Sequence, residues 1–373
     1  MLVGIDARYG LRKNRRGIGT YIYYLLSEFR RQRPPGMEII LYADNTACPE
    51  VVAAFEGPPF RVRLLPALNL AWWEQVALPL AARHDRVDLL HCTSNIAPVL
   101  SKPCRLVTTI HDVIEFRRRE FSKAKLSLRH RLSRTYRMGV LTRVSAMSDL
   151  VITVSEYSRQ DISKVLGIPR EQIRVTYEAP TAAEQPLERS ELFSRLGIED
   201  GEYMFAVGAV DRRKNTVRLL EAYRRLRAER RASPSLVVAG IERPETFVPL
   251  AGEGVHLFGF LPDEVIAGLY RHALFFVYPS LYEGFGLPVL EAMSLGTPVL
   301  CSTTTSVGEV AGEAALKCDP TDTGDLAAKM RLLIDDAGLR RDFIDLGCRR
   351  AREFSWEHCA RQTLAAYFEA LGG

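Results

Sequence analysis

With 373 residues, 47% hydrophobic, 9% aromatic and 25% charged, the chain has the make-up of a folded globular protein of two or three domains, and disordered or collagen-like chains are excluded. Seven cysteines (Cys48, Cys92, Cys104, Cys301, Cys318, Cys348 and Cys359) lie scattered with no C-x-x-C pair, which argues for reduced thiols and against a disulfide framework or structural zinc. The net charge of +5 conceals a split, since residues 1–180 hold 28 Lys and Arg against 17 Asp and Glu, or +11, while residues 181–373 hold 22 against 28, or −6; a basic half points to an acidic or membrane-surface partner.

The chain opens directly on a strand-like run at 2–5, so no signal peptide is expected. No uninterrupted apolar run reaches the ~20 residues of a membrane span, and a cytoplasmic protein is expected. Further apolar, β-branched runs follow at 38–42, 61–65, 88–91, 106–110, 150–154 and 172–176, with helical stretches such as 20–31 and 155–166 between them. The pattern then repeats at 203–207, 235–239, 255–257, 274–277, 297–301 and 315–318, interleaved with helices near 215–231, 263–271, 286–294, 323–335 and 338–353. Such alternation marks βαβ units around a parallel sheet, and its double occurrence predicts an α/β protein of two doubly wound domains.

Between the halves, residues 178–187 hold Pro180 and Pro186 and no periodicity, which reads as a linker. The boundary is expected at 180–195: an N-terminal domain over 1–185, a C-terminal domain over 186–355, and a closing helix over 356–373 with Ser355 as its N-cap. Two such domains set the carboxyl ends of their sheets across a cleft, where open α/β sheets bind ligands.

The strongest local signal runs from Tyr278-Pro279-Ser280 through Glu283-Gly284-Phe285-Gly286-Leu287-Pro288 to Glu291: a strand end, a glycine-bearing turn and a helix start. Gly284 and Gly286 can take φ > 0 and admit a ligand close to the backbone, and Pro288 suits a first helical turn. The amide N–H groups and positive helix end of such a turn favour anionic or hydroxyl-rich ligands. Were the eight-residue step from Glu283 to Glu291 wholly helical, both carboxylates would fall on one side, ~12 Å apart, gripping two ends of an extended ligand. The alternative is a surface cap at Glu283 and a solvated Glu291. Arg212-Arg213-Lys214 opens a helix after a strand, where the macrodipole disfavours cations unless an anion lies between them; the alternative is a solvated helix start. His111, after the strand 106–110 and beside Asp112, is either a site residue or a satisfied structural histidine. Gly17 and Gly19 open helix 20–31, where missing Cβ atoms would bring backbone N–H groups to a phosphate. This is not G-x-G-x-x-G, so a dinucleotide reading is poor, and no H-E-x-x-H, G-x-S-x-G or Walker loop occurs.

Together these segments resemble the family 4 retaining glycosyltransferases, GT-B enzymes that move a sugar from a nucleotide donor. Glu283 to Glu291 is similar to the family's E-x7-E motif, Gly17-Ile-Gly-Thr-Tyr21 to its N-terminal glycine loop, His111-Asp112 to its histidine after a strand, and Val154-Ser-Glu-Tyr-Ser158 to its strand-to-helix turn. Val207-Gly-Ala-Val-Asp-Arg-Arg-Lys-Asn215 is similar to its phosphate-binding loop, and Phe354-Ser-Trp-Glu357 to the start of a final helix that in this fold crosses back to the N-lobe. The resemblance covers nearly the whole chain and implies a GT-B fold, two Rossmann-like domains facing a central cleft. It further implies that Lys214, supported by Arg213, stabilises the leaving diphosphate, that Glu283 and His111 hold the transferred sugar, and that Glu291 takes the ribose. Gly17, Gly19, Gly284, Phe285, Gly286 and Leu287 would line the donor, with the acceptor as the alternative for the Gly17–Gly19 loop. Ala209 stands where family members often carry an arginine, and Arg212 or Arg213 would substitute for it.

No Asp-x-Asp occurs, so no metal and no cofactor is expected beyond the nucleotide-sugar co-substrate. The variant loop resembles those of hexosyltransferases of bacterial surface polysaccharide assembly, which favours GDP-mannose as donor with UDP-glucose or UDP-N-acetylglucosamine close behind, and a glycan or lipid-linked acceptor. Other GT-B chemistry, a phosphorylase or nucleotide-sugar epimerase, stays open, as does a non-catalytic membrane-docking subunit; no nucleic-acid partner is expected. The stretch 116–145 carries Arg117, Arg118, Arg119, Lys123, Lys125, Arg129, Arg131, Arg134, Arg137 and Arg143 against Glu120 alone, with apolar residues at mostly helical spacing. It reads equally as a membrane-surface helix, holding the protein at the inner face of the plasma membrane, and as a core helix with a solvated basic face. Trp72-Trp73 opens an amphipathic stretch over 72–82 that favours core over an acceptor platform.

Overall fold

The computed structural model describes residues 1–121, 128–181 and 186–372. Lys123, Lys125, the side chains of Arg118, Arg119 and Arg129, and residues 182–185 of the linker lie outside the described residues. The chain divides into two compact units, Met1–Glu178 with Ser355–Gly373, and Ala179–Phe354.

The first unit is a seven-stranded parallel sheet of β1 (Leu2–Asp6), β2 (Glu38–Ala43), β3 (Phe60–Leu64), β4 (Leu89–Cys92), β5 (Arg105–Thr109), β6 (Leu150–Thr153) and β7 (Ile173–Val175), in the order β3-β2-β1-β4-β5-β6-β7. The second is a six-stranded parallel sheet of β8 (Tyr203–Val207), β9 (Ser235–Ala239), β10 (Val255–Leu257), β11 (Phe275–Tyr278), β12 (Val299–Ser302) and β13 (Leu316–Cys318), in the order β10-β9-β8-β11-β12-β13. Both are doubly wound: the order runs outward one way from β1 or β8 and the other way from β4 or β11, so each sheet has one switch point. The strands are near-continuous apolar runs because helices cover both faces, as Leu90, Val107, Val151, Val237, Phe276 and Leu300 show by their complete burial.

The helix Trp356–Leu371 packs in the first unit, against the helix Ile18–Gln32 and the strands β5 and β6. Ser355 caps it, its hydroxyl accepting from the His358 N–H at 3.1 Å. Trp356 stacks on Tyr24 with ring centroids 5.2 Å apart, and the Tyr367 hydroxyl meets His91 Nδ1 at 2.6 Å, whose Nε2 meets Thr109 Oγ1 at 2.7 Å. This buried polar chain runs from the last helix to the end of β5. Burial pushes the His91 imidazole down to about 3, so it is neutral. Among the described residues no helix is long and apolar enough to cross a membrane.

Two stretches differ from what periodicity suggests. The expected helix 72–82 is interrupted: Leu70–Trp72 is α-helical, Trp73–Ala77 is a π-helical turn and Leu78–Asp85 is α-helical again. The wider turn sends Trp73 into the core, with Nε1 donating to Asp6 at 3.3 Å, and leaves Trp72 39% exposed, so the tryptophan pair is split. In the basic stretch, the helix Leu128–Met147 buries Val140, Leu141 and Val144 while Leu132 is 64% exposed. Arg117 is paired with Asp161 and Arg137 with Glu115, and Arg134 donates to the Glu115 carbonyl at 3.0 Å. Part of the basic excess is thus neutralised within the unit, while Arg131 and Arg143 face solvent.

The π-helical turn also places Glu74 inside, 1% exposed, with Oε2 accepting from Tyr136 at 2.7 Å. Burial pushes its carboxyl up to about 7, against the Tyr136 hydrogen bond and the Arg8 charge. An acid with a higher pKa folded than unfolded holds its proton more tightly when folded, so this contribution is present below pH 4.5 and is lost as pH rises through 7. Glu74→Gln should therefore remove a loss of about 2.5 kcal/mol between pH 5 and pH 8, read as a flatter pH dependence of urea unfolding.

Candidate active site

Topology brings the second unit's candidate residues together at its switch point. β8 ends at Val207 and β11 at Tyr278, and the loops that follow carry Lys214 and Glu283. Gly208 starts the first loop because a Cβ there would lie 2.7 Å from Val238. Asp211 caps the turn Arg212–Lys214, accepting from the Arg213 N–H at 3.0 Å, and also holds the Arg213 guanidinium at 2.8 Å. Asn215, buried and at φ 59°, ends the turn and starts the helix Thr216–Glu229. Its side-chain amide donates to the carbonyls of Pro279 at 3.0 Å and Pro320 at 2.7 Å, while Leu281 N–H donates to the Arg213 carbonyl at 2.7 Å. The two loops are thus laced into one body, and Arg212 sits exposed at its rim.

At its centre the Lys214 ammonium donates to Glu283 Oε1 at 2.8 Å and to the Tyr278 hydroxyl. Oε1 also accepts from Tyr278 at 2.9 Å and from Ser280 at 2.6 Å. Burial opposes the charged Glu283, but Lys214, the Ser280 hydrogen bond and the Arg213 charge outweigh it, and the carboxyl is held below its usual range. Glu291 behaves oppositely. Burial raises its carboxyl, although Thr181 donates to Oε1 at 2.6 Å and Tyr270 to Oε2 at 3.3 Å. The helix begins only at Leu287, so Glu283 stands in the turn before it and the wholly helical 12 Å spacing does not apply. Gly286 is its N-cap at φ 129°, with Leu287 and Pro288 in the first turn and Phe285 buried; the Ser306 hydroxyl holds the Glu283 carbonyl at 2.8 Å.

In the first unit, Gly17 is the N-cap of the helix Ile18–Gln32 at φ 47°, with open space around it, so conformation requires the glycine. Gly19 is required by space instead: a Cβ would lie 2.9 Å from the Tyr9 carbonyl, and its N–H already donates to Arg16 at 3.0 Å. His111 follows β5. Its Nε2 lies 3.0 Å from the Thr93 carbonyl, which can only accept, so that nitrogen carries a proton. Nδ1 faces Glu178 Oε1 at 3.5 Å, and the ring meets the Tyr21 ring edge-on at 4.9 Å. The backbone is equally fixed, its N–H donating to Asn95 at 2.7 Å and its carbonyl accepting from Ser158 at 3.1 Å.

Two family models divide the chain between them: residues 15–179 match Glycosyltransferase Family 4 and residues 188–349 match Glycosyl transferases group 1. Among curated relatives, the O-antigen chain mannosyltransferase B of Escherichia coli is 35% identical over 70% of this chain and 70% of its own. The chain belongs to the family 4 glycosyltransferases. This glycosyltransferase is also 32% identical to the MMP alpha-(1->4)-mannosyltransferase of Mycolicibacterium hassiacum, over 80% of this chain and 74% of that one. Its fold is GT-B: sucrose-phosphate synthase from Thermosynechococcus elongatus aligns with a TM-score of 0.77 at 20% identity over 100% of this chain and 99% of that one. WaaG, a glycosyltransferase involved in lipopolysaccharide biosynthesis, aligns at 0.69 and 16% identity over 97% and 98%.

Tyr278, Ser280 and Asn215 stand inside the sequence motifs with no role legible there, and Tyr270, Thr181 and Glu178 carry no signal that marks them as site residues. The first two lie five and three residues from Glu283. The Thr181 contact, 110 residues from Glu291, has no sequence signature. Gly286→Ala should cost about 1–3 kcal/mol through its dihedral, since the nearest atom a Cβ would meet is 3.7 Å away. The expected outcome is a lower Tm together with a lower kcat/KM, because the strained position precedes the helix that carries Glu291.

Proposed function

We propose that this glycosyltransferase is a retaining, metal-independent hexosyltransferase that moves mannose from GDP-mannose to a glycan or lipid-linked acceptor in surface polysaccharide biosynthesis. The observation that carries the reading is the Lys214–Glu283 pair at the switch point of the second sheet. A nucleotide-sugar breaks at the bond between sugar and diphosphate, and negative charge grows on the phosphate as it leaves. An ammonium beside a carboxylate suits both parts of that donor. Lys214, with Arg213 and the loop amides, meets the growing charge, and Glu283 accepts hydrogen bonds from sugar hydroxyls, while Glu291 does so for the ribose. Gly284 to Leu287 present backbone to the donor at a helix start. The leaving phosphate takes the acceptor's proton, which calls for no separate protein base. Mannose is favoured by two relatives above 30% identity that are named mannosyltransferases.

Lys214→Ala and Glu283→Ala should each lower kcat/KM by about 100-fold or more, and in a thermal-shift panel of GDP, UDP and their sugars the native protein should respond most to GDP-mannose, a ligand at 100 times its Kd adding about 2.7 kcal/mol. Activity within a few-fold of native in both variants would overturn the catalytic assignment, and a response confined to UDP compounds would overturn the donor.

The first unit further suits an anionic bilayer at the inner face of the plasma membrane, through the exposed Arg131, Leu132 and Arg143 of the stretch 116–145. Flotation is expected with vesicles that contain anionic lipid, not with neutral ones, and should be lost in Arg131→Glu/Arg143→Glu; equal flotation with both vesicle types, or none, would remove the membrane from the proposal.

A further inference from the structure

Lys214 and Glu283 carry the proposed chemistry, and one neutral side chain is bonded to both. Tyr278 is the last residue of β11, and its hydroxyl accepts from the Lys214 ammonium while donating to Glu283 Oε1 at 2.9 Å. The directions are fixed by chemistry, because an ammonium only donates and an ionised carboxylate only accepts. Burial raises the Tyr278 hydroxyl well above its usual range, which keeps it a donor. Its ring is anchored independently, stacked on Phe276 with centroids 5.7 Å apart and planes at 22°, and Lys214 Nζ lies 4.9 Å from the Tyr278 ring centroid.

We infer that Tyr278 is a positioning residue of this glycosyltransferase, whose hydroxyl holds the Lys214 ammonium and the Glu283 carboxylate in the orientation that the donor's diphosphate and sugar require. The bond inventory leads there. Among the described residues, the donors to the Glu283 carboxylate from Lys214, Tyr278 and Ser280 converge on Oε1, which leaves Oε2 to sugar hydroxyls. Two of the three ammonium N–H groups go to Tyr278 and Glu283, which leaves one for a phosphate oxygen. Without the hydroxyl, a flexible four-carbon stem would let the ammonium settle over both carboxylate oxygens, and the tight ion pair would compete with the donor on both sides. Ser280 cannot replace it, since it touches Glu283 and the Arg213 carbonyl but not Lys214.

The inference rests on Lys214 and Glu283 binding the donor, and a double-mutant cycle separates the two ideas. Tyr278→Phe keeps the ring on Phe276. In the otherwise native chain it should lower kcat/KM by about 10- to 100-fold and weaken the calorimetric Kd of GDP or UDP, whichever binds. In the Lys214→Ala background the same change should weaken that Kd by less than about three-fold, because no ammonium remains to be held. A purely structural effect would multiply equally in both backgrounds and would overturn the inference, as would native kcat/KM in Tyr278→Phe. If Lys214→Ala itself binds the nucleoside diphosphate and turns over like the native chain, the functional reading falls and the inference with it; a Lys214-dependent enzyme indifferent to Tyr278→Phe removes the inference alone.

Discussion

A largely buried ammonium beside a largely buried carboxylate is the interaction on which the site depends. Removing two charges from water is expensive, and their attraction compensates only where geometry is good and further hydrogen bonds satisfy the remaining groups. Tyr278 and Ser280 supply those bonds, and neither side chain has freedom to leave: Tyr278 ends β11, and Ser280 lies in the loop that follows it, which Asn215 stitches to its neighbour. The parallel sheet is what makes this possible. Because β8 and β11 are adjacent and the loops that follow them are laced together, two charged residues far apart in sequence meet at one edge, with backbone amides and a helix start beside them.

The charge split acquires a finer grain from the same geometry. In the acidic half of the chain the proposed anionic donor would meet an unfavourable background, which the cations gathered in one turn offset locally. Asp211 holds Arg213 in place there and tempers its charge, while Lys214 is set against Glu283. A site assembled from matched charges binds a ligand that is itself divided, negative at the diphosphate and hydroxyl-rich at the sugar, better than one of a single sign. In the basic half, Glu115 and Asp161 absorb part of the excess, so the surface that remains is narrower than the run of arginines suggests.

The fold was legible because most strands are apolar, often β-branched runs set between amphipathic helices; the thirteen strands of the described residues fall within two residues of their expected bounds. The positions of Lys214, Glu283 and Glu291 were legible because their motifs are local. What escaped had no local signature. The π-helical turn at Trp73–Ala77 changes the facing of side chains without changing composition, so the burial of Glu74 was invisible. Gly17 and Gly19 look alike in sequence, yet one serves a dihedral and the other the Tyr9 carbonyl. The ring of His111 is engaged by Thr93 and by Glu178, partners that only strand order brings within reach.

The helix Trp356–Leu371 carries a consequence for how the molecule comes into being. It lies in the first unit, so the second unit is an insertion within the first rather than its successor. During synthesis the ribosome therefore finishes the second sheet before the first can bury its last apolar face, and until residues 355–371 emerge, His91 lacks Tyr367 and Tyr24 lacks Trp356. The half that begins the chain is the half that closes last.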